Sequence, residues 1–103
     1  MAERKELTAK QKEIQEIVRP IFKKYNINWY GLFGAYGMGM EDENTFIDLY
    51  CERGDVVNFN AFMGIEKELE AALKHKVNLQ FNDADLNPYF LQDVIATFAQ
   101  LSD

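Results

Sequence analysis

Three glycines follow a short apolar segment in a pattern that could serve a phosphate-bearing ligand. Gly34, Gly37 and Gly39 come after the apolar run at residues 27–33, and glycines at a strand end let a backbone approach a ligand closely. The pattern lacks the Gly-Lys-Ser/Thr ending of a P-loop and the Gly-x-Gly-x-x-Gly order of a dinucleotide fingerprint. By itself, this pattern is more typical of a tight turn than of a ligand site.

The carboxylates after these glycines could take part in metal chemistry, because Mg²⁺ prefers oxygen ligands in near-octahedral geometry. Asp48 lies within the apolar run at residues 46–52, and an acidic run at 41–43 precedes it. Glu52 shares the predicted strand face of Asp48 but lies roughly 13 Å further along, too far to share a metal ion. Alone on a strand, Asp48 is equally compatible with a structural role.

The same segment resembles the signature of the minimal nucleotidyltransferases, small relatives of DNA polymerase beta. That signature is Gly-Ser, ten residues, then Asp-x-Asp; here Gly34-Ala35 is followed by ten residues and then by Phe46-Ile47-Asp48. A second landmark, residues 69–79, resembles the family's Leu-Glu-x-x-Leu-Gly-x-x-Val-Asp-Leu, with Asn78 in place of the Asp. The resemblance runs from about residue 21 to residue 101.

The resemblance implies a site whose functional groups are mostly replaced. The family's three carboxylates fall at Phe46, Asp48 and Asn78, and its phosphate-contacting Ser and Arg fall at Ala35 and Met38. Asp48 is thus the one retained catalytic carboxylate and metal ligand. Since nucleotidyl transfer normally uses two Mg²⁺ ions, the loss of four of these five groups predicts that transfer is lost. Nucleotide contacts would remain with the backbone at the positions that correspond to the family's glycine turn, namely Gly34, Ala35 and Gly39.

The resemblance therefore favours a nucleotidyltransferase-fold protein that acts through protein–protein contact. The implied role is an antitoxin-like or regulatory subunit, with a HEPN-domain chain or a second copy as partner. Magnesium would be its cofactor if it were active; otherwise we expect none. One alternative is an active or residually active transferase that uses ATP or another NTP with Mg²⁺, and a second is a nucleotide-binding regulator without catalysis. Rescue of a metal site by the acids at 41–43 is a further, weaker alternative.

The elements that must position these residues follow from hydrophobic spacing. Thr8 and Gln11 form a predicted capping box, and the helix behind it carries Pro20, where a kink is expected. The further predicted elements are strands at 27–33, 46–52 and 76–81, a turn with one possible helical turn at 34–44, a helix at about 60–75 and a closing helix from Pro88. The buried stripes are predicted to include Phe62, Met63, Ile65, Leu69, Ala72 and Leu73 on the first of these two helices, and Leu91, Val94, Ile95, Phe98 and Leu101 on the second.

This order predicts an α+β fold, a small mixed β-sheet with flanking helices, in one domain spanning residues 1–103. The net charge of −6 argues against binding of duplex nucleic acid, which needs clustered Lys and Arg. The one cysteine, Cys51, is expected to be a buried thiol. We find no signal peptide and no apolar run near the ~20 residues that span a bilayer, so a cytoplasmic protein without a membrane partner is expected.

Overall fold

The computed structural model describes residues 6–103; the expected absence of a leader segment falls partly on residues 1–5, outside that range. The elements are α1 (Ala9–Lys24), β1 (Tyr30–Phe33), α2 (Gly34–Met38), β2 (Ile47–Cys51), α3 (Phe59–Leu73), β3 (Val77–Phe81), α4 (Pro88–Thr97) and β4 (Ala99–Gln100). The four strands form one sheet in the order β3-β2-β1-β4. β1 is antiparallel to β2 and β4, whereas β2 and β3 are parallel. The predicted α+β class with a mixed sheet is confirmed.

The first helix begins with the capping box that its sequence predicts. The Gln11 amide N–H donates to Thr8 Oγ1 at 3.1 Å, and the Thr8 amide N–H donates to Gln11 Oε1 at 2.9 Å, which completes the capping box. The helix continues through Pro20 to Lys24, and the chain then turns at Asn26 with a φ of 56°. Asparagine tolerates this left-handed conformation better than most residues.

One face of the sheet is covered by α1 and α3, and this side holds the larger core. Its fully buried side chains include Ile14, Val18, Phe22, Leu32, Leu49, Cys51, Ile65 and Leu69. Burial raises the pKa of the Cys51 thiol to about 12, so the thiol stays protonated and structural near neutral pH. The prediction of a buried cysteine is confirmed.

The other face of the sheet is only partly covered, by α4. Phe33, Tyr50 and Val94 form a smaller buried cluster there, with Trp29 and Phe98 packed beside it. The Trp29 and Phe98 rings stack with their centroids 5.0 Å apart. Because α4 reaches only part of this face, the polar side chains of β2 and β3 lie beyond its edge.

Several details of the elements differ from the prediction. The first strand begins at Tyr30 rather than at residue 27, and the short strand Ala99–Gln100 was not predicted. Ile95 is 66% exposed, because α4 turns the adjacent Val94 toward the sheet. Met63 and Ala72 of α3 also face solvent.

Leu101 is buried as predicted, but it follows β4 rather than α4 and belongs to the larger core. Within residues 6–103, none of the helices combines the length and the apolarity that a membrane span requires.

Candidate functional site

The glycine turn forms where β1 passes into α2, and its first residue has to be a glycine. Gly34 has a φ of 67°, a conformation that L side chains rarely adopt. A Cβ at this position would lie 2.6 Å from Asp48 Oδ2. The turn and the Asp48 carboxylate therefore touch, as their positions in the resembling motif predict. Gly39 ends α2 in the same left-handed region, with a φ of 71°.

The amide that opens this turn already has a partner within the chain. The Gly34 N–H donates to Thr97 Oγ1 at 2.7 Å, and the Thr97 hydroxyl in turn donates to the Asp93 carbonyl oxygen at 2.7 Å. The end of α4 also lies directly against α2, since a Cβ at Gly37 would come within 2.0 Å of the Thr97 carbonyl oxygen. Thr97 thus holds the glycine turn from the α4 side.

The opposite side of α2 is held by Gln11 from α1. Its side-chain Nε2 donates to the carbonyl oxygens of Tyr36 at 2.7 Å and Gly37 at 3.2 Å, and Gln11 itself is buried. These two carbonyls lie near the end of a five-residue helix, where backbone partners are few; the Tyr36 carbonyl also accepts from the Gly39 amide N–H at 3.3 Å. Gln11 therefore anchors α2 and caps its own helix at the same time.

Asp48 lies in the middle of the site, flanked by an amide rather than by a second carboxylate. In the sheet register Asp48 is paired with Asn78 on β3 and with Phe33 on β1. Burial raises the pKa of the Asp48 carboxyl, and a hydrogen bond from the Asn78 side chain opposes that rise. Gln80 Nε2 donates to Asn78 Oδ1 at 3.2 Å, which turns the Asn78 amino group toward Asp48.

This arrangement does not fit a two-magnesium centre. Such a centre needs several anionic oxygen ligands, and the donors in this register are one carboxylate and an amide oxygen that already accepts from Gln80. In residues 6–103 no three side chains of the types His, Cys, Asp and Glu are grouped so that they could hold a metal ion. The chemistry available at Asp48 is therefore that of a half-buried carboxylate with one hydrogen-bond donor.

Ala35, Met38 and Phe46, the remaining positions of the family motif, have side chains that cannot bind a metal ion or a phosphate group. Phe46 lies just before β2, not within it, and is 53% exposed. Met38 is 51% exposed at the end of α2, and Ala35 lies inside that short helix. Apolar side chains thus stand where the resembling family has an acid and an arginine.

The acids at 41–43 do not complete the site around Asp48. The Asp42 carboxylate accepts from the Asn44 amide N–H at 2.9 Å and from the Thr45 hydroxyl at 3.0 Å, and these bonds hold its pKa below the usual value. Glu41 and Glu43 line a groove against α1 and the end of α3. The alternative in which these acids rescue a metal site therefore has no support in the geometry.

His75, the one histidine of the chain, follows the C-cap of α3 and contacts the loop before β2. The helix stops at Leu73, and the His75 Nε2 atom contacts the Thr45 carbonyl oxygen. Its ring packs edge-on against Tyr36, with centroids 6.0 Å apart. His75 thus ties the end of α3 to the loop before β2.

Sequence reasoning missed the residues that support the site from other elements. Thr97, Gln80 and the second role of Gln11 become visible only when α4, β3 and α1 are placed around α2. Thr97 lies 63 residues from Gly34 along the chain, and a threonine at a helix end carries no local signal for such a bond. The alternation of Asn78 and Gln80 on one strand face was the one available hint.

Two proteins of Methanocaldococcus jannaschii are similar in sequence to this chain over most of their length. "Putative protein adenylyltransferase MJ1379" is 31% identical over 88 residues, which cover 80% of this chain and 88% of that protein. "Putative protein adenylyltransferase MJ0128" is 28% identical over 86 residues, with the same coverage of both chains. No protein-family model matches the chain.

Solved structures share the fold. A crystal structure of a toxin–antitoxin with AMP-PNP superposes with a TM-score of 0.71 at 21% identity, covering 84% of this chain and 71% of that one. A tri-AMPylated Shewanella oneidensis HEPN toxin in complex with MNT antitoxin gives a TM-score of 0.67 at 19% identity, covering 88% and 71%.

The glycine turn beside Asp48, the mixed sheet and the 31% identity over most of both chains lead to the same assignment. This protein belongs to the minimal nucleotidyltransferase family.

Proposed function

We propose that this member of the family acts through contact with a protein partner and no longer carries out metal-dependent nucleotidyl transfer. The observation that supports this most directly is the donor set at Asp48, which is paired with an amide rather than with further carboxylates. Removal of a single group that stabilises a transition state typically costs ~2.7–4 kcal/mol. The replacements at Ala35, Met38, Phe46 and Asn78 together should leave transfer below detection.

The partner that we propose is a HEPN-type chain, with a second copy of this chain as the other candidate. The structural neighbours include an MNT antitoxin in complex with a HEPN toxin and an MntA–HepT toxin–antitoxin. The net charge of −6 would favour encounter with a basic partner surface. The proposed role is therefore that of an antitoxin-like or regulatory subunit.

Co-expression with candidate HEPN-type chains tests this role. We expect a complex that survives size-exclusion chromatography, measured by light scattering, and suppression of any growth defect that the partner causes. The Asp48→Ala variant should form the same complex and give the same suppression, since the proposed role does not use the carboxylate. Monomeric behaviour alone and with every HEPN-type candidate would contradict the proposal.

A second candidate function is residual nucleotidyl transfer, and the names of the relatives favour it. Both M. jannaschii proteins are named as protein adenylyltransferases, and one structural neighbour was solved with AMP-PNP. Asp48 would then be the catalytic carboxylate and metal ligand, and Gly34, Ala35 and Gly39 would contact the nucleotide. Labelled ATP with Mg²⁺ or Mn²⁺ and the partner as acceptor tests this; label transfer that Asp48→Ala abolishes would replace the first proposal.

Nucleotide binding without turnover is the third possibility, and backbone NMR distinguishes it. Isotope-labelled protein is titrated with ATP and Mg²⁺, and amide shifts at residues 34–39 and near Asp48 would indicate a pocket that still binds nucleotide. Our proposal expects no saturable shift there, since the first amide of the turn is already bonded to Thr97.

Restoring the family's side chains provides the converse test. The fourfold variant Ala35→Ser, Met38→Arg, Phe46→Asp and Asn78→Asp should bind Mg²⁺-nucleotide more tightly than the natural chain. Without metal it should be less stable, because the new carboxylates crowd Asp48. Unchanged affinity in a variant that keeps the native circular dichroism spectrum would contradict the motif alignment.

A further inference from the structure

The outer edge of the sheet at β3 presents a short row of unpaired backbone groups. β3 is a terminal strand in the order β3-β2-β1-β4. The Ile47 amide N–H donates to the Lys76 carbonyl oxygen at 2.9 Å, and the parallel register continues from there along β2. In such a ladder, alternate residues of a strand bond to the same neighbour. The backbone groups of the other residues of β3, namely Val77, Leu79 and Phe81, therefore point away from β2.

Two of these outward groups are already satisfied within the chain. The Val77 amide N–H donates to Glu70 Oε2 at 3.1 Å, and the Phe81 carbonyl oxygen accepts from the Ala84 amide N–H at 3.2 Å. Among residues 6–103, no hydrogen bond reaches the Val77 carbonyl, the Phe81 amide N–H or either backbone group of Leu79. The free groups are therefore centred on Leu79.

A second copy of the same edge would supply the missing partners. In an antiparallel pair with a two-fold axis at Leu79, the two Leu79 residues exchange both of their hydrogen bonds, and each Phe81 amide donates to the Val77 carbonyl of the other copy. The groups that remain are the Val77 amide and the Phe81 carbonyl, which would face each other between the copies. These are the groups that each chain already satisfies with Glu70 and Ala84. Free and occupied groups thus fall into matching pairs under one symmetry operation.

The side chains of β3 permit such pairing. Asn78 would lie directly opposite Gln80 of the second copy, in the type of pair whose side chains come closest. Like charges at such positions destabilise a sheet, whereas amide side chains can exchange hydrogen bonds. The segment 77–81 contains neither a charged residue nor a proline, the residues with which edge strands commonly prevent pairing with another chain.

The flank of α3 beside this edge is apolar and exposed. The Glu70 side chain marks that flank because it reaches the β3 edge, whereas Glu68 is turned toward α1, where it pairs with Lys24. Phe59 and Met63 share the face of Glu70, since residues four, seven and eleven positions apart lie on one side of a helix. Phe59 is 72% exposed and Met63 is 36% exposed. Exposed apolar side chains therefore lie next to the unpaired backbone groups.

We propose that a second copy of this chain docks on the β3 edge. Antiparallel pairing of the two β3 strands would join two sheets into one and place α3 beside α3 of the other copy. The free backbone groups and the apolar flank are independent observations that favour this same occupant. The paired surface is small, so the dimer is weak and depends on concentration. The inference rests on the protein-contact role proposed above and assigns the surface that a second copy would use.

Sedimentation velocity of the natural chain tests the association, over concentrations from about 10 µM to about 1 mM. We expect the mass to rise from 12.0 kDa toward twice that value. The rise should be larger at high salt, which screens the repulsion between two copies that each carry a charge of −6. A monomer throughout this range at high salt, or growth beyond a dimer, would overturn the proposal.

Amide hydrogen exchange shows where the copies meet. The Leu79 and Phe81 amides have no partner in the single chain, so they should exchange fast when the protein is dilute. As the dimer forms, their exchange rates should fall in proportion to the remaining monomer fraction, while the amide of Asn28 in the exposed loop before β1 should not change. Protection that appears elsewhere, with Leu79 and Phe81 unprotected, would contradict the assignment.

A backbone change blocks the edge and leaves the core side chains in place. Ligation at Cys51, the one cysteine, joins residues 1–50 to a synthetic segment 51–103 in which the Leu79 amide nitrogen carries a methyl group. The methyl group removes a donor that has no partner in the single chain, so the circular dichroism spectrum should be kept and the dimer lost. The matched control carries the same methyl group on the Asp85 amide, in the exposed loop after β3. Equal association of the two ligated proteins would contradict the proposal.

Side-chain variants test the flank of α3. Phe59→Gln removes apolar surface beside the edge and should weaken association by roughly fivefold or more. Ile95→Gln is the matched control, since Ile95 is also exposed, at 66%, but lies on α4, and it should change association by less than about twofold. Equal weakening by both variants would contradict the placement of α3 at the interface.

A HEPN-type chain separates this inference from the proposed function. If the natural chain binds a HEPN-type chain but never dimerises, the inference is wrong while the partner role stands. If the Leu79 amide is protected only in that complex, a foreign segment occupies the edge, and the second-copy assignment is again wrong. If the chain dimerises through β3 and binds no HEPN-type candidate, the inference holds and the HEPN partner is excluded.

Discussion

Two regions on opposite faces of one sheet differ in how their polar groups are satisfied. Around Asp48, the glycine amide is bonded to Thr97, and the Asn78 side chain lies between Asp48 and Gln80. Around the groove, a buried oxygen of Glu41 has no partner among residues 6–103. Internally paired polar groups stabilise the fold, whereas a buried polar atom without a partner costs free energy. The first region therefore contributes to stability, and the second contains a polar group whose burial is not compensated.

The largest effect should come from disturbing the packing beside Asp48. Gly37→Ala places a Cβ 2.0 Å from the Thr97 carbonyl oxygen, and we expect it to lower the free energy of unfolding by about 3 kcal/mol. Gly64→Ala in α3 is the matched control, since its Cβ meets only the Tyr25 hydroxyl oxygen at 3.5 Å and should stabilise the helix by ~0.5–1 kcal/mol. Urea denaturation of both variants measures this; a Gly37→Ala variant as stable as the natural chain would show that α4 is loosely held.

A smaller effect is expected where one hydrogen bond is removed from the same region. Thr97→Val keeps the shape of the side chain but leaves the Gly34 amide without its 2.7 Å acceptor, at an expected cost of ~1–2 kcal/mol. Thr97→Ser retains the hydroxyl and should lose less. Thermal and urea unfolding compare the two, and equal losses would mean that the methyl group rather than the bond matters.

Asp48→Asn should change how stability depends on pH. Burial raises the pKa of Asp48 in the folded state above its unfolded value, so the folded state binds the proton more tightly. Asp48 therefore supports folding most below its unfolded pKa, and this support falls as the pH rises through the folded pKa. At pH 7 the variant should be as stable as the natural chain or more stable, and urea unfolding from pH 3 to 7 should show a smaller loss than in the natural chain. A destabilised variant at pH 7 would indicate a cationic partner for Asp48 within the chain.

The smallest effect is expected in the groove. Glu41→Gln removes the charge from a side chain that has one buried, unpartnered oxygen, so the free energy of unfolding should stay the same or rise by up to about 1 kcal/mol. Asp93→Asn on the exposed face of α4 is the matched charge control. A loss above about 1 kcal/mol for Glu41→Gln would show that the groove, too, is structural, and the contrast between the two regions would disappear.

Local patterns accounted for much of the fold. The Thr8–Gln11 capping box, Pro88 at the start of α4 and the alternating burial of Val77, Leu79 and Phe81 all follow from short-range rules. Ile95 and Met63 were assigned wrongly because an apolar residue at helical spacing does not reveal how far a neighbouring layer extends. The two-residue strand β4 was not predicted because it forms only through pairing with β1. Its own two residues carry no strand pattern.

The candidate site was predicted in its parts but not in its connections. The resemblance to the family's signature implied that Gly34 and Asp48 belong to one site, and the structure places a Cβ at Gly34 2.6 Å from Asp48 Oδ2. The Thr97 bond, the Gln80 contact to Asn78 and the groove lined by Glu41 involve elements that are distant along the chain. No periodicity within a single helix or strand reports on such contacts.

The amino-acid sequence by itself determined the element types, the family's spacing and the absence of acids at Phe46 and Asn78, since these depend on residue identity and local geometry. Only the tertiary structure decided which polar groups are paired and which are left unpaired. That outcome depends on how α1, α2, α3 and α4 are arranged around the sheet, because a hydrogen bond requires two groups to meet within about 3 Å. The packing of the helices against the sheet, not the distance along the chain, sets the separation between donor and acceptor atoms.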